Sequence, residues 1–201
     1  MNPKSLIEFS PQTILSKYDS DSKIRLYLAL LKAENQKINL VSRETSDFDL
    51  ERLVAESLLP FEIIGHLSFD NYLDIGSGGG FPAIPIIMSA KIGKATLLER
   101  TTKKAAALER MAAELGLKIR VLDSNFEECK FSEKFDLITL RLVKLTKPLL
   151  KKISLLLKAG GTFVYYAEFK DTLATGLESG SYSYTSAPPS GIKYFTVFNK
   201  Q

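Results

Sequence analysis

Between an apolar run ending at Leu73 and another beginning at Ala83 lies Asp74-Ile75-Gly76-Ser77-Gly78-Gly79-Gly80-Phe81-Pro82. Tyr72-Leu73 has the composition of a buried strand end, and Ala83-Ile84-Pro85-Ile86-Ile87-Met88 that of the first turns of a helix. Strand, glycine turn and helix form the local arrangement by which a backbone approaches a ligand closely. Residues without Cβ leave room, and a helix start offers free N–H groups. A tight turn between packed elements would also use glycine, but four glycines in five positions (76–80) cost backbone entropy that a plain connection does not require.

Spacing alone leaves two nucleotide cofactors open. Gly78, Gly80 and Ala83 satisfy the G-x-G-x-x-G/A pattern of dinucleotide folds. Asp74 argues against a dinucleotide, because a carboxylate at the strand end repels a pyrophosphate and attracts an ammonium. S-adenosylmethionine carries such an ammonium and NAD does not. Glu99 closes Ala95-Thr96-Leu97-Leu98, the next apolar run. It stands about twenty residues past the glycine turn, where Rossmann-like folds place the acid that binds ribose hydroxyls. The same carboxylate suits a helix start ahead of Lys103-Lys104, and the two roles are compatible. Together Asp74 and Glu99 favour S-adenosylmethionine over NAD.

Composition narrows the chemistry further. With 201 residues, 45% of them hydrophobic, the chain can build one full core with a small appendage. No apolar stretch is long enough to span a bilayer, and residues 1–10 lack a charged region followed by an apolar one. A cytoplasmic protein without signal peptide or membrane partner is therefore expected. Cys129 is the sole cysteine, which excludes disulfide scaffolds and cysteine metal clusters within one chain. His66 is the sole histidine, so histidine-based zinc sites and most catalytic triads are out, and no metal is expected. The net charge of +4 permits a polyanionic partner without demanding one.

Ser10-Pro11 pairs an N-cap with proline at the first helical position, and Ile14, Leu15 and Tyr18 continue that helical face. Ile24, Leu26, Tyr27, Leu30 and Leu31 supply a second face, and Ser46 caps a third helix that buries Leu50, Leu53, Val54 and Leu58. Residues 1–65 thus read as a helical cap, and residues 66–201 as a Rossmann-like domain, the two forming one compact unit. Strands are expected near 71–75, 94–99, 118–122, 134–140 and 161–167, and helices over 82–90, 101–115 and 146–157. Gly116 and Gly160-Gly161 suit helix stops. Such alternation implies right-handed crossovers and a mostly parallel, doubly wound α/β sheet covered on both faces. Ser181-Tyr182-Ser183-Tyr184 and Tyr194-Phe195-Thr196-Val197-Phe198 flank Pro188-Pro189-Ser190-Gly191, which suggests a closing antiparallel hairpin. Residues 179–190 are rich in small side chains and read as mobile.

Several segments fall in one order: Asn35-Gln36-Lys37-Ile38-Asn39-Leu40, Glu56-Ser57-Leu58, residues 74–85, Leu98-Glu99, Lys103-Lys104, Phe135-Asp136 through Arg141, and Leu157-Lys158-Ala159-Gly160-Gly161. On these the chain resembles the glucose-inhibited division protein B family, bacterial methyltransferases acting on a guanine N7 of small-subunit (16S) ribosomal RNA. The similarity runs over residues 32–167, and Phe81-Pro82-x-Ile84-Pro85 after the glycine turn is its most specific part. The resemblance implies a Rossmann-like S-adenosylmethionine-dependent methyltransferase. Its cofactor would contact Gly76, Gly78 and Phe81, with Glu99 on the ribose and Phe126 and Glu127 flanking the adenine. Arg141 matches a family arginine beside the methyl-transfer site. Three positions depart from the pattern: Leu53 where the family has histidine, Asn125 where it often has arginine, and Ala167 where it has lysine, with Lys170 displaced by three residues. Losing two cations weakens phosphate gripping or transition-state support more than cofactor binding.

The residue inventory suits that chemistry. Guanine N7 presents a lone pair, so no base need remove a proton, and alignment with a controlled electrostatic setting suffices. Thr139-Leu140-Arg141-Leu142 replaces the Asn/Asp-Pro-Pro-aromatic segment common in exocyclic amine methyltransferases, and Cys129 lies outside any nucleophile motif. Arg141 would serve a cofactor carboxylate or an RNA phosphate, its rival roles being a structural pair with Asp136 or Glu99 and a projection to solvent. Lys144, Lys147 and Lys151, with Lys152 beside them, lie on one helical face, and Arg100, Lys103 and Lys104 open another helix. These faces are either solvated or RNA-binding. The expected partner is ribosomal RNA or the small ribosomal subunit. A methyltransferase of another target and a catalytically silent RNA-binding or assembly protein are the alternatives, with an NAD-linked oxidoreductase weaker than either.

Overall fold

A computed structural model describes residues 4–18, 23–170 and 176–201. Strand β1 (Lys4–Phe9) leads into helices α1 (Pro11–Tyr18), α2 (Lys23–Lys37) and α3 (Asp47–Leu58) and the single turn α4 (Phe61–Ile64). The alternating part follows: β2 (Ser68–Ile75), α5 (Ala83–Ser89), β3 (Lys91–Glu99), α6 (Thr102–Glu114), β4 (Ile119–Asp123), β5 (Phe135–Leu140), α7 (Lys147–Leu156) and β6 (Leu157–Tyr165). Strands β7 (Leu177–Ser186) and β8 (Lys193–Lys200) close the fold.

All these strands join one eight-stranded sheet of order β1-β7-β8-β6-β5-β2-β3-β4. Pairings among β2 to β6 are parallel, whereas β8 runs antiparallel to β6 and β7. After β4 the chain crosses back to place β5 on the other side of β2. That reversal opens a crevice at the carboxyl ends of β2 and β5, the place where open α/β sheets take ligands. Side chains alternate along β2: Tyr72 packs into the core shared with Tyr27, Leu31, Leu58 and Ile84, while Leu73 and Ile75 face the core of Ile138, Phe163 and Phe198. The sheet is thus buried on both faces, as a doubly wound fold requires.

The local signals hold at several element ends. Ser46 caps α3 by accepting from the Asp49 N–H at 3.1 Å, and Gly116 follows α6 with φ 66°. Three expectations need correction. The first 65 residues are not all helical, because Lys4–Phe9 is a strand paired in parallel with β7. Its partner lies at the far end of the sequence and no local periodicity announces it; Phe9 packs edge-on against Tyr184 at 6.0 Å. Gly160 (φ 74°) does not end α7, which passes into β6 at Leu157; it lies within β6, where the register with β5 shifts. Residues 179–186, read as mobile, are strand, with Tyr182, Ser183 and Tyr184 buried. Among the described residues no helix is long and apolar enough to cross a membrane, and no cluster of metal-ligating side chains occurs.

Candidate active site

The carboxyl ends of the parallel strands border a cavity of about 990 Å³. Its floor is the glycine turn at 76–79. One wall carries Glu99, Phe126 and Glu127, and the other Arg141 with groups from α3 and β8.

Backbone hydrogen bonds fix the turn. The Gly76 and Ser77 N–H groups donate to the Leu98 carbonyl at 2.8 and 3.0 Å, and the Tyr27 hydroxyl donates to the Gly79 carbonyl at 2.9 Å. The glycines are not equivalent. A Cβ on Gly78 (φ 54°) would meet nothing closer than the Gly76 carbonyl at 3.9 Å, so this position opens on the cavity. A Cβ on Gly80 would stand 2.6 Å from Ile84 and 3.1 Å from the Tyr27 hydroxyl. Gly80 is absent from the cavity wall and serves the packing of the turn on α5 and α2. Phe81 lines the cavity, its ring edge-on to Tyr27 at 5.4 Å.

Glu99 ties the turn to the next strand end. Its Oε2 accepts from the Gly78 N–H at 2.9 Å and its Oε1 from the Thr101 N–H at 2.8 Å. A carboxylate has about four lone-pair sites, so each oxygen keeps capacity for a ribose hydroxyl. Arg100 and Lys104 stand beside it on the wall.

Asp74 behaves differently from Glu99. It is fully buried, does not line the cavity, and lies behind the turn. Thr139 donates its hydroxyl to Oδ1, while Oδ2 has no partner among the described residues. Burial pushes the Asp74 carboxyl up to about 6, against the hydroxyls of Ser77 and Thr139; the Glu99 charge adds to the rise and the Arg141 guanidinium opposes it. A cradle open at Gly78, spare acceptors on Glu99 and an orphaned carboxylate oxygen beneath fit a cationic nucleoside.

The turn holding Phe126 and Glu127 is clamped from α7. Lys152 Nζ donates to the carbonyls of Phe126, Glu127 and Cys129 at 2.5, 3.1 and 2.9 Å and lies 4.6 Å from the centre of the Phe126 ring. Lys152 therefore serves the turn, whereas Lys144, Lys147 and Lys151 are exposed.

Arg141 pairs with neither expected structural partner. Asp136 is taken by Lys158 at 3.0 Å and by the Asn71 N–H at 2.7 Å. Instead Arg141 reaches α3: Nη2 donates to Glu56 Oε2 at 2.8 Å, and Nη1 to Ser57 Oγ at 3.3 Å and the Leu53 carbonyl at 3.5 Å. Its guanidinium lies 5.6 Å from the centre of the Tyr166 ring. The side chain of Glu56 is wholly buried, and Lys193 Nζ sits 2.5 Å from its Oε1, with Arg52 Nε at 3.7 Å.

Sequence reasoning missed Glu56 as a site residue and missed Lys193 entirely. The signal for Glu56 was present, since an acid on the buried side of a helix needs cationic partners. Lys193 carried no signal without the hairpin register. Lys193 shares the cavity wall with Ala167, the position where a family lysine was expected. Lys170 is exposed and pairs with Glu168 at 3.1 Å, so it does not supply that cation.

The family model described as "rRNA small subunit methyltransferase G" matches residues 20–179. A protein named ribosomal RNA small subunit methyltransferase G from Borrelia turicatae is 35% identical over 149 residues, covering 73% of this chain and 71% of its own length. One of the same name from Chlorobium phaeobacteroides is 34% identical over 190 residues, covering 91% and 81%. Among solved structures, a putative O-methyltransferase from Klebsiella pneumoniae aligns with a TM-score of 0.62 at 13% identity, over 87% of this chain and 90% of that one. An O-methyltransferase from Bacillus cereus in complex with SAH aligns with a TM-score of 0.62 at 16% identity, over 90% and 92%. At such identities these two show the fold alone: the Rossmann-like methyltransferase fold expected from the sequence.

Proposed function

The chain belongs to the rRNA small subunit methyltransferase G family, and we propose that it methylates a guanine N7 of small-subunit ribosomal RNA at the crevice between β2 and β5. It is an S-adenosylmethionine-dependent methyltransferase. When bound, that cofactor supplies an electrophilic methyl group on a sulfonium.

The observation that carries the site assignment is the Glu99 carboxylate held on the Gly78 N–H at 2.9 Å, at the rim of an open glycine cradle. In this reading Gly76, Gly78 and Phe81 shape the nucleoside bed, Glu99 binds the ribose hydroxyls, and the turn at Phe126 and Glu127 flanks the adenine. Gly80 and Asp74 act from behind. Gly80 lets the turn close on its helix, and the Asp74 carboxylate provides a buried negative field for the ammonium. Guanine N7 attacks with its own lone pair, so no residue takes a proton. The chain's task is to hold two groups in line in a controlled electrostatic setting and to keep water out. Arg141, anchored by Glu56, keeps donors unspent by its three contacts, since a guanidinium has five N–H groups. With Lys193 it forms a cationic edge for an RNA phosphate.

Purified protein incubated with labelled cofactor and small ribosomal subunits from a strain deleted for the gene tests the reading. Label recovered as 7-methylguanosine is the expected result; label absent from the RNA, or present on another atom, overturns it.

A further inference from the structure

Leu142 follows Arg141 directly and combines two unfavourable features. It is the sole non-glycine residue among those described with a positive φ, at 59°, and the residue is 96% exposed. A left-handed backbone strains any L side chain, and glycine would relieve it. An apolar side chain held in water gains nothing in return from the folded chain.

The strained residue is not loose. On one side Arg141 is pinned to Glu56 at 2.8 Å and Ser57 at 3.3 Å. On the other, Val143 packs on the glycine turn so closely that a Cβ on Gly76 would stand 3.1 Å from its Cγ2. Between these braces Leu142 stands at the edge of the cavity, and exposed Lys144, Lys147 and Lys151 follow it. An apolar projection on the lip of a nucleoside cavity, followed in the chain by exposed lysines at 144, 147 and 151, complements a nucleic acid step: the apolar group meets stacked bases and the lysines meet phosphates.

We propose that Leu142 is a wedge that enters the RNA stack at the position vacated by the target nucleotide. The inference rests on the ribosomal RNA reading above and deepens it. Guanine N7 in an A-form helix faces a deep, narrow groove that side chains cannot read, and a stacked base does not reach a recessed cavity. The target must swing out, which costs unstacking energy, and an apolar side chain filling the gap offsets it. The contacts of Arg141 and Val143 on either side hold the wedge extended before RNA arrives, against the strain at Leu142.

The test compares wild type, Leu142→Ala, Leu142→Gly and Leu142→Phe, with Leu155→Ala as a control at another exposed leucine (64% exposed) on α7. Methyl transfer to small ribosomal subunits, cofactor affinity by calorimetry and thermal stability are measured for each. Alanine and glycine should lower kcat/KM by about tenfold or more, and phenylalanine should stay within about threefold of wild type, because the wedge acts by filling the stack. Cofactor affinity should not move, the glycine variant should be as stable as wild type or more so, and Leu155→Ala should transfer normally. A short target RNA carrying 2-aminopurine at the target position should brighten on binding wild type and not on binding Leu142→Ala. Wild-type kcat/KM in the glycine or alanine variant overturns the wedge while leaving the RNA reading intact. So does a loss of cofactor affinity that matches the loss of transfer. No transfer by wild type itself removes the RNA reading and the wedge together.

Discussion

The two walls of the cavity are built in different ways. On the side expected to hold the cofactor, the tie between the glycine floor and the wall is short in the chain: Gly78 and Glu99 are hydrogen-bonded across 21 positions. The opposite wall is assembled from afar, with Glu56 joined to Arg141 across 85 positions and to Lys193 across 137. The first is mostly backbone, shaped by glycines with positive φ. The second is side-chain charge converging on one buried carboxylate. Backbone geometry of the first kind leaves a spacing in the sequence, whereas convergence of the second kind leaves none.

The largest effect should come from breaking the backbone wall. Gly78→Val places a branched side chain in the open cradle at a φ of 54°. Cofactor affinity should fall by more than about a hundredfold, while strain of about 1–3 kcal/mol leaves the protein folded. Calorimetry beside a melting curve separates the two, and normal affinity in a folded variant defeats the assignment of the turn.

The charged wall should fail in the opposite sense. Glu56→Gln removes the charge against which Arg141, Lys193 and Arg52 are set. Removing one partner from a buried ion pair costs about 3 kcal/mol, or roughly 6–12 °C in Tm for a chain of this size. Cofactor affinity per folded molecule should change little, since Glu56 touches none of the groups assigned to the nucleoside. A stable variant that has lost cofactor affinity would reverse the division between the walls.

That division also explains what was legible. The alternating strands, the parallel order and the glycine turn followed from periodicity and from local φ requirements, and Ser46 and Gly116 marked true helix ends. The strand Lys4–Phe9 was not legible, because its reason for being a strand is the unpaired edge of β7, far along the chain. Gly160-Gly161 misled because a helix stop and a register shift both call for glycine. Arg141 was found by its position at a strand end, but its partner was not, because Asp136 and Glu99 were nearer in sequence than Glu56. The gap left by Ala167 pointed to Lys170 for the same reason of proximity, while the hairpin brings Lys193 to the wall.

Asp74 sharpens the comparison from beneath the turn. Its carboxyl is raised by burial to about 6 from an ordinary 3.8. The folded state therefore holds the proton more tightly than the unfolded chain. Stability from this group is present below pH 4 and is lost as pH climbs to about 6, by about 2–3 kcal/mol. Asp74→Asn should flatten that part of the profile. If the ionised form attracts the cofactor's ammonium, wild-type affinity should rise from pH 5 to 7 and the asparagine variant's should not. Parallel affinity profiles for the two would leave Asp74 a purely structural group.

The smallest effect, and the one that separates the walls most cleanly, belongs to Lys193. Its ammonium is partly exposed beside Glu56 Oε1 at 2.5 Å, so Lys193→Met should cost little stability. Arg141 and Arg52 still face the carboxylate. If Lys193 grips an RNA phosphate, its loss weakens RNA binding by about tenfold and lowers the slope of log affinity against log salt by about 0.7–0.9, the share of one phosphate contact. KM for the ribosomal particle should rise, with kcat and cofactor affinity held, because the lysine contributes equally to ground and transition states. A drop in kcat with an unchanged salt slope would instead mean that Lys193 acts through Glu56 on Arg141. The charged wall would then align the reacting groups rather than grip the substrate.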